Sequence, residues 1–577
     1  MKNKILTILP IFLILILSTF TIIPLFHSGF FPMHDNTQIQ RVYEMFKSLR
    51  DGMFPVRWVN DLGYGYGYPI FNFYAPLAYY VGAFFVFVFS NSLLATKVMI
   101  GISFVGSSIT MYLLGKSIFG KIGGIIPSLL YSFAPYHAVD LYVRGDIGEL
   151  WAYIFLPLVA LGFYRIYTLT NNKNESKKSL KLNLLISNSI WIVIASVGFC
   201  GVILSHNLSA FMLAPFLLIG ILIASFFSKN KYQTVLYFMI AFVLGIGLST
   251  FYTLPVFFEM KYTNVLSQIG GGANFRDHFV CINQLWQSNW GFGGSAKGCV
   301  DGFSFMIGKI NLLLSLLALI ILPFLRRDKK LFVIDLGAFM GLAVSIFLML
   351  PISKDIWETI KPMSFIQYPW RYLIFVSFFS SILGGVIIAV LSKINKKIGL
   401  IFCSLTILAI LILSIKYFQP QTYLKISNTQ AISKSMLSWT ISKISDEYMP
   451  VGFEKPKIES NLPTSLIKSN DFIKIQSENI KTQDKNIQFN LEKAGFVGLN
   501  LAYFPAWHVF DNGSELPLKI TKNGTEVYLS RGFHNLNVVY ESTTPENVGN
   551  IISLTSLFIL ILGIIWKVTK KYDKKGA

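Results

Sequence analysis

Long apolar runs, bounded by short polar or basic clusters, recur along most of this chain. Runs of spanning length fall at about 6 to 26, 98 to 115, 122 to 137, 150 to 168, 184 to 204, 208 to 227, 233 to 254, 308 to 325, 332 to 350, 371 to 391, 398 to 416 and 549 to 566. A hydrocarbon core of ~30 Å needs a helix of about 20 apolar residues, so the pattern predicts about twelve transmembrane helices. From Ile473 the pattern changes to alternating apolar and polar residues, as in KIQSENIKTQDKNIQFNLEKAGFVGLNLAYF, with Asn-Gly pairs at Asn512-Gly513 and Asn523-Gly524. Period-two alternation with such turns predicts a small β-rich, sandwich-like domain. The expected fold is therefore a mainly α, polytopic membrane protein. Residues 1 to 416 form the membrane domain, 417 to 548 an extracytoplasmic β-rich domain, and 549 to 577 a last transmembrane helix with a basic tail.

Charge sets the expected sidedness. Basic clusters stand at Lys116 with Lys121, Lys173 to Lys181, Lys229 with Lys231, Arg326 to Lys330, Lys393 to Lys397 and Lys567 to Lys575. All fall on the cytoplasmic side, as the positive-inside rule requires, only if the run FNFYAPLAYYVGAFFVFVFS, residues 71 to 90, does not cross. Its Asn72, Pro76 and tyrosines suit a segment lying in the outer interface or dipping in and returning. The first run has two lysines before it, but its apolar core exceeds that of a secretory signal and no small-residue cleavage site follows, so it is read as an uncleaved first span. Both termini are then cytoplasmic, and residues 27 to 97, 255 to 307 and 417 to 548 lie outside.

Composition agrees with a membrane protein: 53% of the 577 residues are hydrophobic and the mean hydropathy is +0.55. The formal charge of +21 is explained by the clusters at span ends, so it calls for no nucleic-acid partner. Cys281 and Cys299 share an outer loop, where a disulfide is permitted. The chain carries no Cys-x-x-Cys, no Walker loop and no dinucleotide fingerprint, which excludes the common zinc, ATP and NAD sites.

The outer ends of the spans collect ionisable residues. GFFPMHDNTQIQR gives His34, Asp35 and Arg41, with Arg50 and Arg57 following; PYHAVDLYVRGDIGELWA gives His137, Asp140, Arg144, Asp146 and Glu149; SHNLS gives His206; QYPWRY gives Arg371. Ionisable groups at a membrane boundary are costly unless paired or solvated, so their convergence marks a functional site. A carboxylate can accept a proton from an attacking hydroxyl, other carboxylates can hold a divalent cation such as Mg or Mn, and arginines can neutralise a lipid phosphate. Each of these residues also has a plainer reading as an interfacial anchor or a local ion pair, and His206 as a helix-end histidine satisfied by backbone. The tyrosines of LGYGYGYPIFNFY fit either stacking on sugar rings or a flexible interfacial loop.

The motifs MHDNTQIQRVYEMFKSLRDGMFPVRW, GYGYGYPIFNFYAPLAYYVG, APYHAVDLYVRGDIGELWAYIFLPLVALGFYRI, SHNLS, FIQYPWRYL, DEYMP and YFPAWHVFDNG, in this order, resemble a bacterial family of multi-spanning proteins. That family is labelled "6-pyruvoyl-tetrahydropterin synthase related, membrane" and its architecture is similar to that of GT-C glycosyltransferases. The label does not describe this chemistry, because the three-histidine zinc site of a soluble pterin synthase has no counterpart here. The resemblance implies a sugar donor carried on a polyprenyl phosphate and inverting transfer on the outer leaflet of the bacterial plasma membrane. The acceptor is then a glycan, lipid or protein. It also implies a catalytic acid just after the first span, which is Asp35, with His34 beside it. Arg144 and Arg371 are expected to bind the phosphate, Asp146 and Glu149 the metal or acceptor, and Arg41 and His206 the substrate. Where the wider family often has a second histidine, this chain has Gln38 and Gln40, and no Asp-x-Asp stands in either loop. The rival reading is a non-catalytic protein, a transporter of lipid-linked glycans or a scaffold of envelope assembly, in which the same charges line a headgroup pathway.

Overall fold

The computed structural model describes residues 2–171, 181–268, 273–468 and 471–576. The basic cluster beginning at Lys173 lies, as far as residue 180, outside the described residues. Among those described, nine helices are long and apolar enough to cross a membrane: Ser92–Gly123, Ile147–Thr170, Asn207–Phe227, Lys231–Tyr262, Lys309–Arg327, Lys329–Met349, Pro369–Ile394, Lys396–Tyr417 and Thr544–Lys567. Shorter apolar helices occupy Leu9–Thr19, Leu77–Phe89 and Ser189–Ser205.

The expected span at 122 to 137 takes another form. It is broken into Ile125–Ser132, Pro135–Val139 and a five-residue π-helix, Asp140–Arg144. Ala134 is extended ahead of Pro135, whose ring and missing N–H end the first piece. The broken helix runs back along Ser92–Gly123, with Ser128 Oγ donating to the Ser108 carbonyl at 2.7 Å and the Ser108 and Ser132 hydroxyls 2.5 Å apart. Irregular backbone at membrane depth is tolerated only where protein covers it. Here every residue from Gly123 to Ile154 is buried.

Basic clusters gather at one end of the helices. Lys330 Nζ donates to the Ile118 carbonyl at 2.7 Å and sits 5.7 Å from the Tyr164 ring, while Lys393 pairs with Asp328. The first loop packs at the opposite end. Its helix Leu77–Phe89 has 13 residues and so rises about 20 Å, short of a ~30 Å hydrocarbon core. It lies against the helix Gln38–Arg50 so closely that a Cβ on Gly82 would meet Val42 Cγ2 at 2.7 Å.

The C-terminal region folds as two antiparallel sheets. Strands β1 (Ile473–Ile480), β2 (Asp484–Leu491), β3 (Gly495–Leu499), β4 (Trp507–Asp511), β5 (Ser514–Leu516), β6 (Lys519–Thr521), β7 (Gly524–Leu529) and β8 (Gly532–Tyr540) arrange as β1-β2-β8-β4-β5 and β3-β7-β6. Alternate residues Ile487, Phe489 and Leu491 of β2 and Leu536, Val538 and Tyr540 of β8 point into one core, the period-two signature. Asn512 (φ 48°) and Gly513 (φ 85°) form the β4–β5 turn. At the second Asn-Gly pair the turn is Lys522-Asn523, and Gly524 already pairs with Thr521. Residues 418 to 468 strap the first loop, through the Phe30–Leu424 bridge, Gln40 Nε2 to the Ala431 carbonyl (2.7 Å) and Ser438 Oγ to the Asp61 carbonyl (2.8 Å), and near their end Ile467 bridges Leu499 of β3.

A buried polar joint connects sheets, first loop and last helix. Arg57 donates to Asn72 Oδ1 (3.0 Å), the Phe251 carbonyl (2.7 Å) and Asn550 Oδ1 (3.0 Å), with Glu546 at 4.0 Å. Glu546 also accepts from Asn72 (2.7 Å) and the Tyr540 hydroxyl (2.8 Å). Removing one member of a buried charge pair strands the other, at a cost of about 3–5 kcal/mol. Arg57→Ala should therefore lower the melting temperature of the detergent-purified protein markedly, whereas Arg50→Ala, on the exposed end of its helix, should leave it near wild type.

Candidate functional site

The break in the helix at 133 to 146 builds the site. The π-helix ends at Gly145, whose φ of 70° favours glycine, and where a Cβ would meet Met33 Sδ at 2.6 Å. Asp146 then caps the helix Ile147–Thr170, its Oδ1 accepting from the Glu149 amide at 3.0 Å. The first loop hangs from this break by its backbone: His34 N–H donates to the Val143 carbonyl (3.0 Å) and Asp35 N–H to the Arg144 carbonyl (2.8 Å). Gln38 locks the arrangement, donating to the Gly145 carbonyl (2.8 Å) and accepting from the Tyr79 hydroxyl (2.7 Å).

His34, Asp35, Arg41, Arg144, Asp146, His206 and Arg371, from four distant parts of the chain, line one cavity of about 640 Å3. Among the described residues the Asp35 carboxylate has no hydrogen-bonded or ion-paired partner, and it opens onto the cavity. Enclosure by protein pushes its pKa up from the ordinary carboxylate value and the Asp146 charge adds to this, against the opposing fields of Arg41, Arg144 and Arg371.

Asp146 behaves differently. Burial works against its charge, but the field of its neighbours, the Arg144 and Arg371 guanidiniums among them, works for it more strongly and holds the carboxyl below its ordinary value. Arg371 Nη2 and His206 Nε2 lie 3.8 and 3.9 Å from Asp146 Oδ2. Arg371 Nη1 donates to His206 Nε2 at 2.9 Å, which makes that nitrogen an acceptor, while Nδ1 faces Ser209 Oγ at 2.8 Å and the Ser209 amide at 3.3 Å. Burial holds this imidazole below its ordinary pKa, consistent with a neutral ring.

Arg144 lines the cavity with its guanidinium engaged: it binds Asp140, Asp146 (2.7 Å), Glu149 (2.8 Å) and the Tyr136 hydroxyl (2.9 Å), under the Trp370 ring at 4.6 Å. Glu149 is fully buried behind it, accepting from Arg144 and Tyr136, and is not part of the cavity wall. His34 reaches across the cavity with Nε2 to the Phe292 carbonyl at 3.0 Å, tethering the 255–307 loop. His137 lies away from the cavity, stacked between Tyr153 and Phe104 at 4.0 and 4.3 Å.

The tyrosine-glycine run divides: its last residues, Phe73 and Tyr74, line the cavity, whereas its first three tyrosines do not. Tyr64, Tyr66 and Tyr68 are buried, outside the cavity, in a tight coil where Gly63, Gly65 and Gly67 all have positive φ. Tyr64 and Tyr68 donate to Asp446 Oδ2 (2.9 Å) and the Ser445 carbonyl (3.1 Å). They buttress the DEYMP segment, whose Glu447 lines the cavity, as does His278 of the loop closed by the Cys281–Cys299 disulfide. Glu447 was missed although the rule that singled out Asp35, an acid at a predicted membrane surface, applies equally to DEYMP. Asp146, Glu149 and His206 each bring one ligand atom to within 4.8 Å of the others, a spacing suited to a divalent ion.

No family model matches this chain. A protein of Lactococcus lactis subsp. cremoris, described only as uncharacterized, is 24% identical over 260 residues, which cover 44% of this chain and 39% of that protein. Among solved structures, the chain is similar to the Archaeoglobus fulgidus oligosaccharyltransferase tethered with an acceptor peptide (13% identity, TM-score 0.44, 73% of this chain). It is also similar to the archaeal oligosaccharyltransferase AglB from the same organism in complex with an inhibitory peptide and a dolichol-phosphate (11% identity, TM-score 0.46, 76% of this chain). The matched part spans 56% of each of those chains.

Stripping the guanidinium from three buried carboxylates costs about 3–5 kcal/mol or more. Arg144→Ala should therefore reduce the yield and melting temperature of folded protein. An unchanged melting curve for the variant would show that Arg144 is not the neutralising centre of this cluster.

Proposed function

We propose that this chain is an inverting membrane glycosyltransferase of the GT-C kind. It would take a sugar from a polyprenyl-phosphate carrier in the membrane lipid and pass it to a glycan, lipid or protein acceptor on the outer face of a bacterial plasma membrane, with both termini cytoplasmic. The observation that carries this is a carboxylate without a partner, Asp35, facing the same cavity as Arg371, whose buried Nε has no acceptor. A base and an anion site in one hollow are what displacement of a phosphate from a sugar needs. The motif order of the sequence points the same way.

In this reading Asp35 accepts the proton of the acceptor hydroxyl as its oxygen attacks the anomeric carbon. The new glycosidic bond forms on the face opposite the departing phosphate, the bond from anomeric carbon to phosphate oxygen breaks, and the polyprenyl phosphate leaves with the electron pair. Arg371 stabilises the charge that develops there, since its N–H groups are donors that cannot deprotonate. Neutral His206 and ionised Asp146 fix the direction of the guanidinium.

A divalent cation such as Mg or Mn, held by Asp146 and Glu149 with His206, does not fit the arrangement as it stands. The Asp146 Oδ2 and Glu149 Oε2 atoms already accept from Arg144, and His206 Nε2 accepts from Arg371. A cation there would compete with the guanidiniums for those atoms.

Asp35→Asn keeps the shape and removes the base, and should lower transfer from a polyprenyl-phosphate sugar by about 10²–10⁴-fold with the protein still folded and inserted. Because the raised pKa of Asp35 means that its base form is lost at higher pH than for an ordinary carboxylate, the wild-type rate should fall early on the acid side, and residual Asp35→Asn activity should lack that limb. Movement of labelled lipid across liposomes with no sugar bond formed by any donor and acceptor pair would replace the enzyme with a transporter.

A further inference from the structure

Glu447 has no part in the mechanism above, yet it is the third carboxylate lining the cavity, after Asp35 and Asp146. The segment that carries it is held on every side. Tyr68 donates to the Ser445 carbonyl, the Asn264 amide donates to the Met449 carbonyl at 3.0 Å, the Val451 amide to the Tyr262 carbonyl at 3.3 Å, and Tyr448 stacks on Phe73 with ring centres 5.7 Å apart. Its neighbour Asp446 turns away from the cavity, to the Tyr64 hydroxyl and, at 2.6 Å, to Lys455. Of two adjacent acids, one is therefore spent on holding the segment and the other is turned into the hollow.

The surroundings of Glu447 say what it can bind. Its Oε1 accepts from Ser445 Oγ at 3.1 Å, and that hydroxyl in turn accepts from Arg41 Nη2 at 2.9 Å. Arg41 is buried, lies over the Tyr74 ring at 4.2 Å, and has an Nε with no partner. A carboxylate and a guanidinium thus stand side by side, joined through one serine rather than directly, each with hydrogen-bonding capacity unused. An anion would meet Glu447 and an ammonium would meet Arg41. A neutral group rich in hydroxyls meets neither objection, because each hydroxyl donates to the carboxylate and accepts from the guanidinium in the same geometry.

We propose that Glu447, with Arg41 and Ser445, forms a subsite that reads the hydroxyls of a sugar ring and decides which sugar the cavity accepts. The inference rests on the glycosyltransferase reading and adds the residue that sets its specificity. Burial pushes the Glu447 carboxyl up and Arg41 opposes this.

The test uses the full chain in phospholipid nanodiscs, with affinity measured for undecaprenyl phosphate alone, for a panel of undecaprenyl-phosphate monosaccharides, and for free methyl glycosides of the same sugars. A hydrogen bond to a charged group is worth about a factor of ten in affinity, and wild type should bind at least one sugar-bearing form more tightly than its sugar-free counterpart by that margin. Glu447→Gln should abolish the margin and leave binding of undecaprenyl phosphate unchanged. Loss confined to lipid-linked sugars assigns the subsite to the donor, and loss confined to methyl glycosides assigns it to the acceptor. Retention of the full margin in folded Glu447→Gln overturns the inference while leaving the glycosyltransferase reading in place. If wild type binds neither undecaprenyl phosphate nor any sugar-bearing form, both fall together. Should Glu447→Gln not fold, Ser445→Ala removes the link and keeps both charges, and it must shrink the same margin.

Discussion

A guanidinium cannot be left alone in a protein interior, and the way this chain satisfies Arg144 governs the rest of the site. Its partners are Asp140 in the π-helix, Asp146 at the cap, Glu149 one turn into the next helix, and Tyr136 ahead of the break. Those four groups are close in sequence but lie on backbone of three different kinds, so only one geometry of the break brings them to one point. That geometry presents the Val143 and Arg144 carbonyls to the amides of His34 and Asp35. This charge cluster thus sets the position of Asp35. Desolvation makes such clusters expensive to assemble and more expensive to damage, which suits a part whose work is to hold still.

The same cluster divides the remaining charges. Arg144 takes up three carboxylates, so Asp146 is the one of them that also faces the cavity, and it turns toward Arg371 and His206. Arg371 is steered by His206 and Asp146 without being consumed by them, since its Nε stays unpaired. Among the described residues Asp35 is ion-paired to no cation, and Arg41, Arg144 and Arg371 act on it only through their fields. An acid bound by an arginine would be a poorer base, because the pairing that stabilises its charge also opposes taking up a proton.

Much of this architecture is written in the sequence because the bilayer imposes it. Apolar length gave the spans, and alternation after Ile473 gave the sheets; both are periodicities that hold whatever the neighbours. The run at 122 to 137 was misread as one helix because apolar composition cannot distinguish a regular span from a broken one sealed inside protein; Pro135 was the only local sign. The convergence of Asp35, Asp146, His206 and Arg371 was legible from residue type and span ends. The fate of Arg144 was not, since whether a buried charge is spent depends on partners placed by an irregular backbone, where helix spacing rules do not apply. The tyrosines of GYGYGY were invisible for the same reason: only the fold shows that they face DEYMP and not solvent.

One wall of the cavity comes from the 255–307 loop, which has little regular structure and cannot hold itself by a ladder of backbone bonds. Several ties do that work, among them these three. The Cys281–Cys299 disulfide closes the loop on itself, Ser295 Oγ meets His278 Nδ1 at 2.7 Å, and His34 Nε2 meets the Phe292 carbonyl at 3.0 Å. The last tie matters most for function, because His34 adjoins Asp35 and its amide already hangs from the π-helix. A displacement of the loop would therefore be felt at the acid through a single residue. His34 is thus the link between the wall that closes the cavity and the backbone that positions Asp35.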